Sequence, residues 1–388
     1  MIRIAITQPD IRPYRVPVYN LLASQPDIEV TVFADLAKDA PNPEKEDIRF
    51  RFEPATTDPK PLGPLPFVTH SAHHQVNDPA KFDFVIHSWN PHYRSLRPAL
   101  KQAKKLGIPT LVWGHGYSKR DSWFRTMLRN WVARPADGIL LYTHPIAQRM
   151  IDKYGFDAER VFVAQNAIDQ TPIQAAREAW LADPERLAQF QAEHELVPGR
   201  TVVFVSRLLD ENRPDRLVRA IDGLRHDYDD CKLVIVGDGP ERPKLEALAE
   251  QLNVADRVIF TGAIYDEYQM APWLLSSGVF CYPENVGLSL LTAFGFGLPA
   301  VTSDNIEAQN PEVVALQHGK NGLLYPYGNE QAMIDALGSV LGNDEFRESL
   351  AAEALRTVTE EFTLATMVQG FLDATRLVDG KTRKVVLP

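Results

Sequence analysis

Short runs of consecutive apolar residues alternate along the chain with stretches whose apolar positions recur every three or four residues. An unbroken apolar run marks a strand buried on both faces, and the wider spacing marks a helix lying on a sheet. The alternation therefore predicts parallel α/β layers. In the first half it predicts strands at 2–7, 28–33, 82–87, 110–114, 138–142 and 160–164, with helices at 16–23, 94–106, 121–133 and 145–154. In the second half strands are expected at 201–206, 232–237, 257–260, 278–282, 300–302 and 322–325. Residues 37–81 are rich in Pro, Asp and Lys, lack a period, and read as an irregular insertion or loose strands. Residues 166–200 form a bridge, helix-forming over 174–194, and Val197-Pro-Gly-Arg200 has the look of a linker. The tail, 346–377, reads as helix with no further strand.

At 388 residues the chain exceeds one ordinary core, so two domains are expected, 1–195 and 196–364. An apolar content of 45% with 24% charged residues is globular. No apolar run reaches the roughly eighteen residues of a membrane span. Met1-Ile-Arg-Ile-Ala-Ile-Thr7 reads as a first buried strand rather than a secretion leader. Cys231 and Cys281 fall at or within predicted strands and are expected to be core thiols, which makes the cytoplasm the default compartment. The net charge of −10 argues against general nucleic-acid binding.

Candidate chemistry gathers at the ends of the predicted strands. The stretch 282–299 follows an apolar run with Pro283, which cannot continue a sheet ladder, and Gly287, which permits close backbone approach to a ligand. Glu284 sits in this loop. Its carboxylate suits a sugar hydroxyl better than a phosphate, and the helix that follows suits an anion, so the stretch reads as a sugar-phosphate or nucleotide-sugar site. Arg207 directly follows a strand, where a planar guanidinium would meet phosphate oxygens; the alternative is a surface arginine paired with Asp210 or Glu211. Gly237 and Gly239 end another strand, with a plain strand-to-helix turn as the simpler role for them. After the next strand, the backbone at Gly262 and Ala263 could read a nucleobase edge.

In the first half, His115 stands between Gly114 and Gly116, so its backbone can lie close to a ligand; a structural histidine is the alternative. His70, His73 and His74 have no carboxylate or cysteine nearby in sequence, and no metal site is expected there. The segment 120–134 is amphipathic: Phe124, Met127, Leu128, Trp131 and Val132 form one stripe, while Arg120, Arg125, Arg129 and Arg134 are basic. The favoured expectation is a core-facing stripe with a solvated basic face. The alternative is a basic face meeting anionic lipid or a pyrophosphate-linked acceptor.

In combination these residues resemble the retaining GT-B glycosyltransferases of family 4. The resemblance rests on Ser206-Arg-Leu208, Val236-Gly-Asp-Gly-Pro240, Phe260-Thr-Gly262 and Pro283-Glu284 through Gly297-Leu-Pro299, in that order, and more loosely on Arg15-Val-Pro-Val-Tyr-Asn20, Trp113-Gly-His-Gly116 and Asn166-Ala-Ile-Asp169. It implies two Rossmann-like domains with a cleft between them and a C-terminal helix, about 365–388, crossing back to the first. It also implies transfer of a hexose from a UDP- or GDP-sugar to a cell-surface glycan or glycolipid precursor, with no metal or other cofactor. Arg207 would hold the pyrophosphate, with Asn212, Arg213, Gly237, Gly262 and Ala263 also on the donor side. Glu284 would touch the transferred sugar, and Asn285, Val286, Gly287, Leu288 and Thr292 would line the same loop. His115 would face the transferred sugar from the acceptor side, beside Arg15, Gly116 and Asn166.

Two positions depart from the family pattern. Asn212 stands where a lysine is usual, with Arg213 next to it as the candidate replacement, and Thr292 stands where the second of two glutamates is usual. A degenerate protein that binds a sugar nucleotide or a partner without turnover is therefore one alternative. A sugar-nucleotide epimerase is another, though beyond Glu284 and His115 the chain offers no acid/base set for it.

Overall fold

The computed structural model describes residues 1–37, 42–59, 67–118 and 122–387, and they form two compact units. The first comprises Met1–Ile168 and takes the chain up again at Leu364–Pro388; the second is Asp169–Thr363. Against the expected boundary at 195, the division falls at Ile168. The cause is tertiary packing: the helix Thr171–Leu181 lies against the helix Glu267–Leu275, and the Trp180 indole donates to the Tyr268 carbonyl at 2.9 Å.

The first unit carries β1 (Ile2–Ile11), β2 (Ile28–Leu36), β3 (Arg51–Pro54), β4 (Thr57–Pro59), β5 (Val68–His70), β6 (Phe84–Ser88), β7 (Thr110–Gly114), β8 (Gly138–Leu141) and β9 (Val161–Val163). Seven of them form a parallel sheet in the order β3-β2-β1-β6-β7-β8-β9, and β4 pairs antiparallel with β5. Successive side chains of a strand point to opposite faces. Leu111 and Trp113 accordingly join a core with Ile4, Ile6 and Phe84, while Val112 joins one with Leu96, Leu100 and Ile139. The helices α1 (Val16–Ala23), α2 (Leu96–Leu106), α3 (Trp123–Ala133) and α4 (His144–Asp152) cover the sheet. The C-terminal helix Leu364–Ala374 joins α1 in the first of these cores through Met367, Val368 and Phe371. It lies so close to β9 that a Cβ at Gly370 would stand 2.1 Å from the Val163 carbonyl oxygen.

The region 37–81, read as irregular, contributes more order than its composition suggests. Within its described part, β3 extends the sheet beside β2, and β4 and β5 form a small hairpin. At α3 the expected facing is overturned. Trp123, Phe124, Met127 and Trp131 are 76, 55, 48 and 53% exposed, whereas Arg129, Asn130, Val132 and Ala133 are buried. The helix packs by that edge and Leu128, with the Trp89 indole donating to the Arg129 carbonyl at 3.2 Å and Arg97 lying over the Trp131 ring, so most of the stripe faces outward. The first two residues of the expected segment, Arg120 and Asp121, lie outside the described residues.

The second unit carries β10 (Thr201–Val205), β11 (Lys232–Val236), β12 (Val258–Gly262), β13 (Val279–Cys281), β14 (Ala300–Ser303) and β15 (Gly322–Tyr325). All are parallel, in the order β12-β11-β10-β13-β14-β15. Its helices are α5 (Thr171–Leu181), α6 (Pro184–Glu193), α7 (Asp215–Leu224), α8 (Arg242–Gln251), α9 (Glu267–Leu275), α10 (Ser289–Gly295), α11 (Glu330–Leu341) and α12 (Asp344–Arg356). Each sheet reverses its direction of growth beside its first strand, β1 lying between β2 and β6 and β10 between β11 and β13. This is the Rossmann arrangement, and it opens a crevice above the carboxyl ends of the strands at the reversal. Cys231 and Cys281 are buried free thiols, as expected, and burial pushes the Cys231 thiol up to about 12. Among the described residues no helix is long and apolar enough to cross a membrane.

Candidate active site

Every strand of the second sheet runs the same way, so the residues that follow β10, β11, β12, β13 and β15 all emerge at one edge. Ser206 and the exposed Arg207 leave β10 beside the reversal point. The loop after β11 presses against them: a Cβ at Gly237, whose φ is +153°, would fall 1.8 Å from the Ser206 carbonyl oxygen. A Cβ at Gly239 would fall 2.5 Å from the Leu208 oxygen. These glycines thus bring two loops into contact. Gly262 (φ +79°) has nothing within 4 Å of its Cβ position, and Ala263 after it is exposed.

The loop after β13 is held by a chain of polar side chains. Tyr282 donates its hydroxyl to Ser206 Oγ at 2.8 Å, and the Asn212 amide donates to Ser206 Oγ (3.3 Å) and to the Arg207 carbonyl (2.8 Å). Asn285, in the left-handed region at φ +69°, donates its amide to Asn212 Oδ1 at 2.9 Å. Asn310 donates to the Asn285 carbonyl at 2.9 Å, and the Val286 N–H donates to Gln309 Oε1 at 2.7 Å. Asn212 is 3% exposed, so its side chain belongs to the framework that shapes the loop. Arg213, at φ +52°, forms a two-point pair with Asp215 at 3.0 Å through both Nε and Nη2. That partner raises the Arg213 pKa and balances its charge.

Glu284 meets Arg216. The Nη1 of Arg216, from the first turn of α7, lies 2.6 Å from Glu284 Oε1, with the two side chains 10 and 16% exposed. The Arg216 guanidinium also touches the Tyr325 hydroxyl, which donates to the Pro283 carbonyl at 3.0 Å. Gly287, Leu288 and Thr292 are partly buried beyond this pair, Leu288 at the N-cap of the seven-residue α10 and Thr292 within it. Arg216, Tyr325, Gln309 and Asn310 are the residues sequence reasoning missed. The available signal was Arg216 itself, a charged residue in an otherwise apolar position of a strongly amphipathic helix.

In the first unit the carboxyl edge gathers a different set. Arg15 is 8% exposed; it donates to Asn166 Oδ1 (2.8 Å) and the Tyr142 hydroxyl (3.1 Å), and its guanidinium lies 4.7 Å from the centre of the Trp113 ring. Arg15 and Asn166 thus tie the ends of three elements together from inside. His115 is exposed after β7, its ring 4.9 Å from that of Tyr142, and Gly116 (φ +70°) has no room for a side chain against Leu141 and Met150. His70, His73 and His87 cluster deeper in this unit: the first two rings stack at 4.8 Å, and His73 meets His87 edge-on at 4.9 Å. Burial depresses all three pKa values, that of His87 to about 3. Among the described residues no group of His, Cys, Asp and Glu side chains has the arrangement of a metal site.

Comparison with known proteins bears on both units. The sequence model of Glycosyl transferases group 1 matches residues 185–357, and that of Glycosyltransferase Family 4 matches residues 20–171. The GDP-mannose-dependent alpha-(1-6)-phosphatidylinositol monomannoside mannosyltransferase of Mycobacterium tuberculosis is 32% identical over 203 residues, 49% of this chain and 51% of that protein. The alpha-D-kanosaminyltransferase of Streptomyces kanamyceticus is 29% identical over 238 residues, 60% of this chain and 58% of that protein. The chain spans about half the length of these curated relatives. Among solved structures, Anabaena HepE in complex with UDP superposes with a TM-score of 0.73 at 19% identity, covering 96% of this chain and 98% of its own. The fold is shared at that distance, and the two family matches fall on the two halves. The chain belongs to the family 4 glycosyltransferases of the GT-B fold.

Proposed function

We propose that this protein is a retaining hexosyltransferase that takes its sugar from a UDP- or GDP-sugar and passes it to a glycan or glycolipid precursor at an anionic membrane face. The observation that carries the reading is that Arg207, exposed at the end of β10, and Glu284, in the loop after β13, emerge at the same edge of one parallel sheet. A cation suits the diphosphate and a carboxylate suits the sugar hydroxyls. In this reading the acceptor oxygen bonds to the anomeric carbon as the bond from that carbon to the diphosphate breaks. The acceptor proton passes to the leaving phosphate oxygen, and both events occur on one face of the sugar. Arg207 stabilises the charge that develops on the leaving group, a contribution of the kind worth about a hundredfold in rate.

Support for the acceptor class comes from two directions. The mycobacterial relative is by its name a phosphatidylinositol monomannoside mannosyltransferase. In this chain, α3 exposes Trp123, Phe124, Met127 and Trp131 next to Arg125, and α2 beside it exposes Lys101, Lys104 and Lys105. In a chain of net charge −10, an exposed aromatic face with exposed cations on the same helix and its neighbour suits insertion among anionic head groups. A second reading, binding without turnover, is favoured by Asn212, whose buried amide serves the loop where the family carries a lysine.

The test is to incubate the protein with GDP-mannose or UDP-glucose and lipid-linked acceptors, and to follow release of the nucleoside diphosphate. Acceptor-dependent release with an α-linked product supports the transferase. Binding of the nucleotide sugar with no transfer to any acceptor supports the second reading.

A further inference from the structure

Glu284 lies in a loop, and a glutamate there has three rotatable bonds with which to leave a productive orientation. It is also nearly buried, and a carboxylate out of water is costly without a counter-charge. Arg216 meets both difficulties. The residue belongs to a regular helix, α7, is 8% exposed, and brings Nη1 to 2.6 Å from Glu284 Oε1. It reaches the same loop a second time through Tyr325, whose hydroxyl holds the Pro283 carbonyl at 3.0 Å. The Tyr327 ring stands 5.9 Å from the guanidinium carbon. Neither Arg213 nor Asn212 can take this part, since Arg213 is paired with Asp215 and Asn212 is bonded within the loop.

We propose that Arg216 is the positioning residue for Glu284: it fixes and charge-balances the carboxylate so that Glu284 meets the hydroxyls of the donor sugar. The contact engages Oε1. A carboxylate offers about four acceptor sites over its two oxygens, so capacity for sugar hydroxyls remains. Among the described residues, Nε and Nη1 of Arg216 and Oε1 of Glu284 have no well-aligned hydrogen-bond partner, so the pair is held by charge rather than by a closed network. A carboxylate held that way keeps hydrogen-bonding capacity that a bound sugar can use. The inference rests on Glu284 being the sugar-contacting residue of the proposed transfer.

Calorimetry on the full chain tests it without requiring turnover. The quantity is the affinity for GDP-mannose relative to GDP, and for UDP-glucose relative to UDP, in wild type, Arg216→Met, Arg216→Lys, Glu284→Gln and the Arg216→Met/Glu284→Gln double variant. For the pair that wild type prefers, Arg216→Met should lose about tenfold in affinity for the sugar nucleotide while holding the free diphosphate within about twofold, as for loss of a hydrogen bond to a charged group. Arg216→Lys should regain part of the loss. The double variant should be no weaker than either single one, the signature of two residues acting as a unit. Additive losses, or equal loss for diphosphate and sugar nucleotide, would overturn the inference. So would a wild type that prefers neither sugar nucleotide over its diphosphate. A preserved preference with no transfer to any acceptor would overturn only the transferase reading. If Arg216→Met does not fold, Arg216→Lys and Glu284→Gln decide: losses confined to the sugar nucleotide support the inference, and an unchanged Arg216→Lys refutes it.

Discussion

The Asn285 amide donates to Asn212 Oδ1 across 2.9 Å, and through this bond two loops from different strands share one framework. Asn212 also holds the Arg207 carbonyl at 2.8 Å, so the position that departs most visibly from the family pattern sets the backbone carrying the candidate phosphate arginine. Placing the usual lysine there should therefore harm the protein. Asn212→Lys is expected to lower unfolding free energy by about 2 kcal/mol, through loss of buried hydrogen bonds, without strengthening nucleotide binding. Denaturant titration and calorimetry check it. Tighter binding at unchanged stability would mean that the side chain faces the donor instead.

Gly237 and Gly262 make a matched pair of backbone probes. Alanine at 237 puts a methyl group 1.8 Å from the Ser206 oxygen, while alanine at 262 meets nothing within 4 Å. Gly262→Ala should cost about 1–2 kcal/mol for its left-handed φ, and Gly237→Ala more than about 4 kcal/mol. Thermal or denaturant unfolding would separate the two, and equal costs would refute the close approach of the two loops.

The His70, His73 and His87 cluster gives the first unit an acid limit. All three have folded-state pKa values below the usual histidine value, mainly because burial disfavours the charged ring. The unfolded chain therefore binds more protons at low pH. The stability of the neutral cluster is fully present above about pH 6.5 and falls as pH drops toward the folded value, about 3 for His87. The slope should approach about 1.4 kcal/mol per pH unit for each histidine in its window. His87→Gln should flatten the profile between pH 6 and 4, in a series of melting curves, by about one histidine's share.

The face of α3 predicts peripheral binding to vesicles rich in phosphatidylglycerol, weakening as salt rises. Replacing both exposed tryptophans, Trp123→Ser with Trp131→Ser, should abolish co-sedimentation while leaving the melting temperature within a degree or so, since neither ring is buried. Equal binding by that variant would exclude the aromatic face as the contact.

Much of the architecture is legible in the sequence because parallel strands buried on both faces leave unbroken apolar runs. Thr110–Gly114 and Gly322–Tyr325 fall where the pattern puts them. The strands within 37–81 are illegible for the opposite reason. Arg51–Pro54 is short, has no buried residue, and is defined by its pairing with a strand distant in the chain. At α3 the three-to-four spacing reveals a stripe but cannot say which side the protein occupies. The loop positions of Arg207 and Glu284 follow from strand ends, which sequence marks well. The partnership of Glu284 with Arg216 joins residues sixty-eight apart, and no local pattern encodes it. Asn212 and Arg213 invert the local expectation for the same reason: which of two neighbouring side chains turns inward depends on Asn285 and Asp215.

Turnover and binding measured side by side on Arg207→Ala and Glu284→Gln separate the phosphate contact from the sugar contact. Arg207→Ala should lose at least about tenfold in affinity for the nucleoside diphosphate, as for a missing charged contact. Glu284→Gln should keep that affinity and lose about a hundredfold in transfer to a lipid-linked acceptor. Full transfer by Glu284→Gln, or unchanged diphosphate affinity in Arg207→Ala, would contradict the assignment of these two residues to sugar and phosphate.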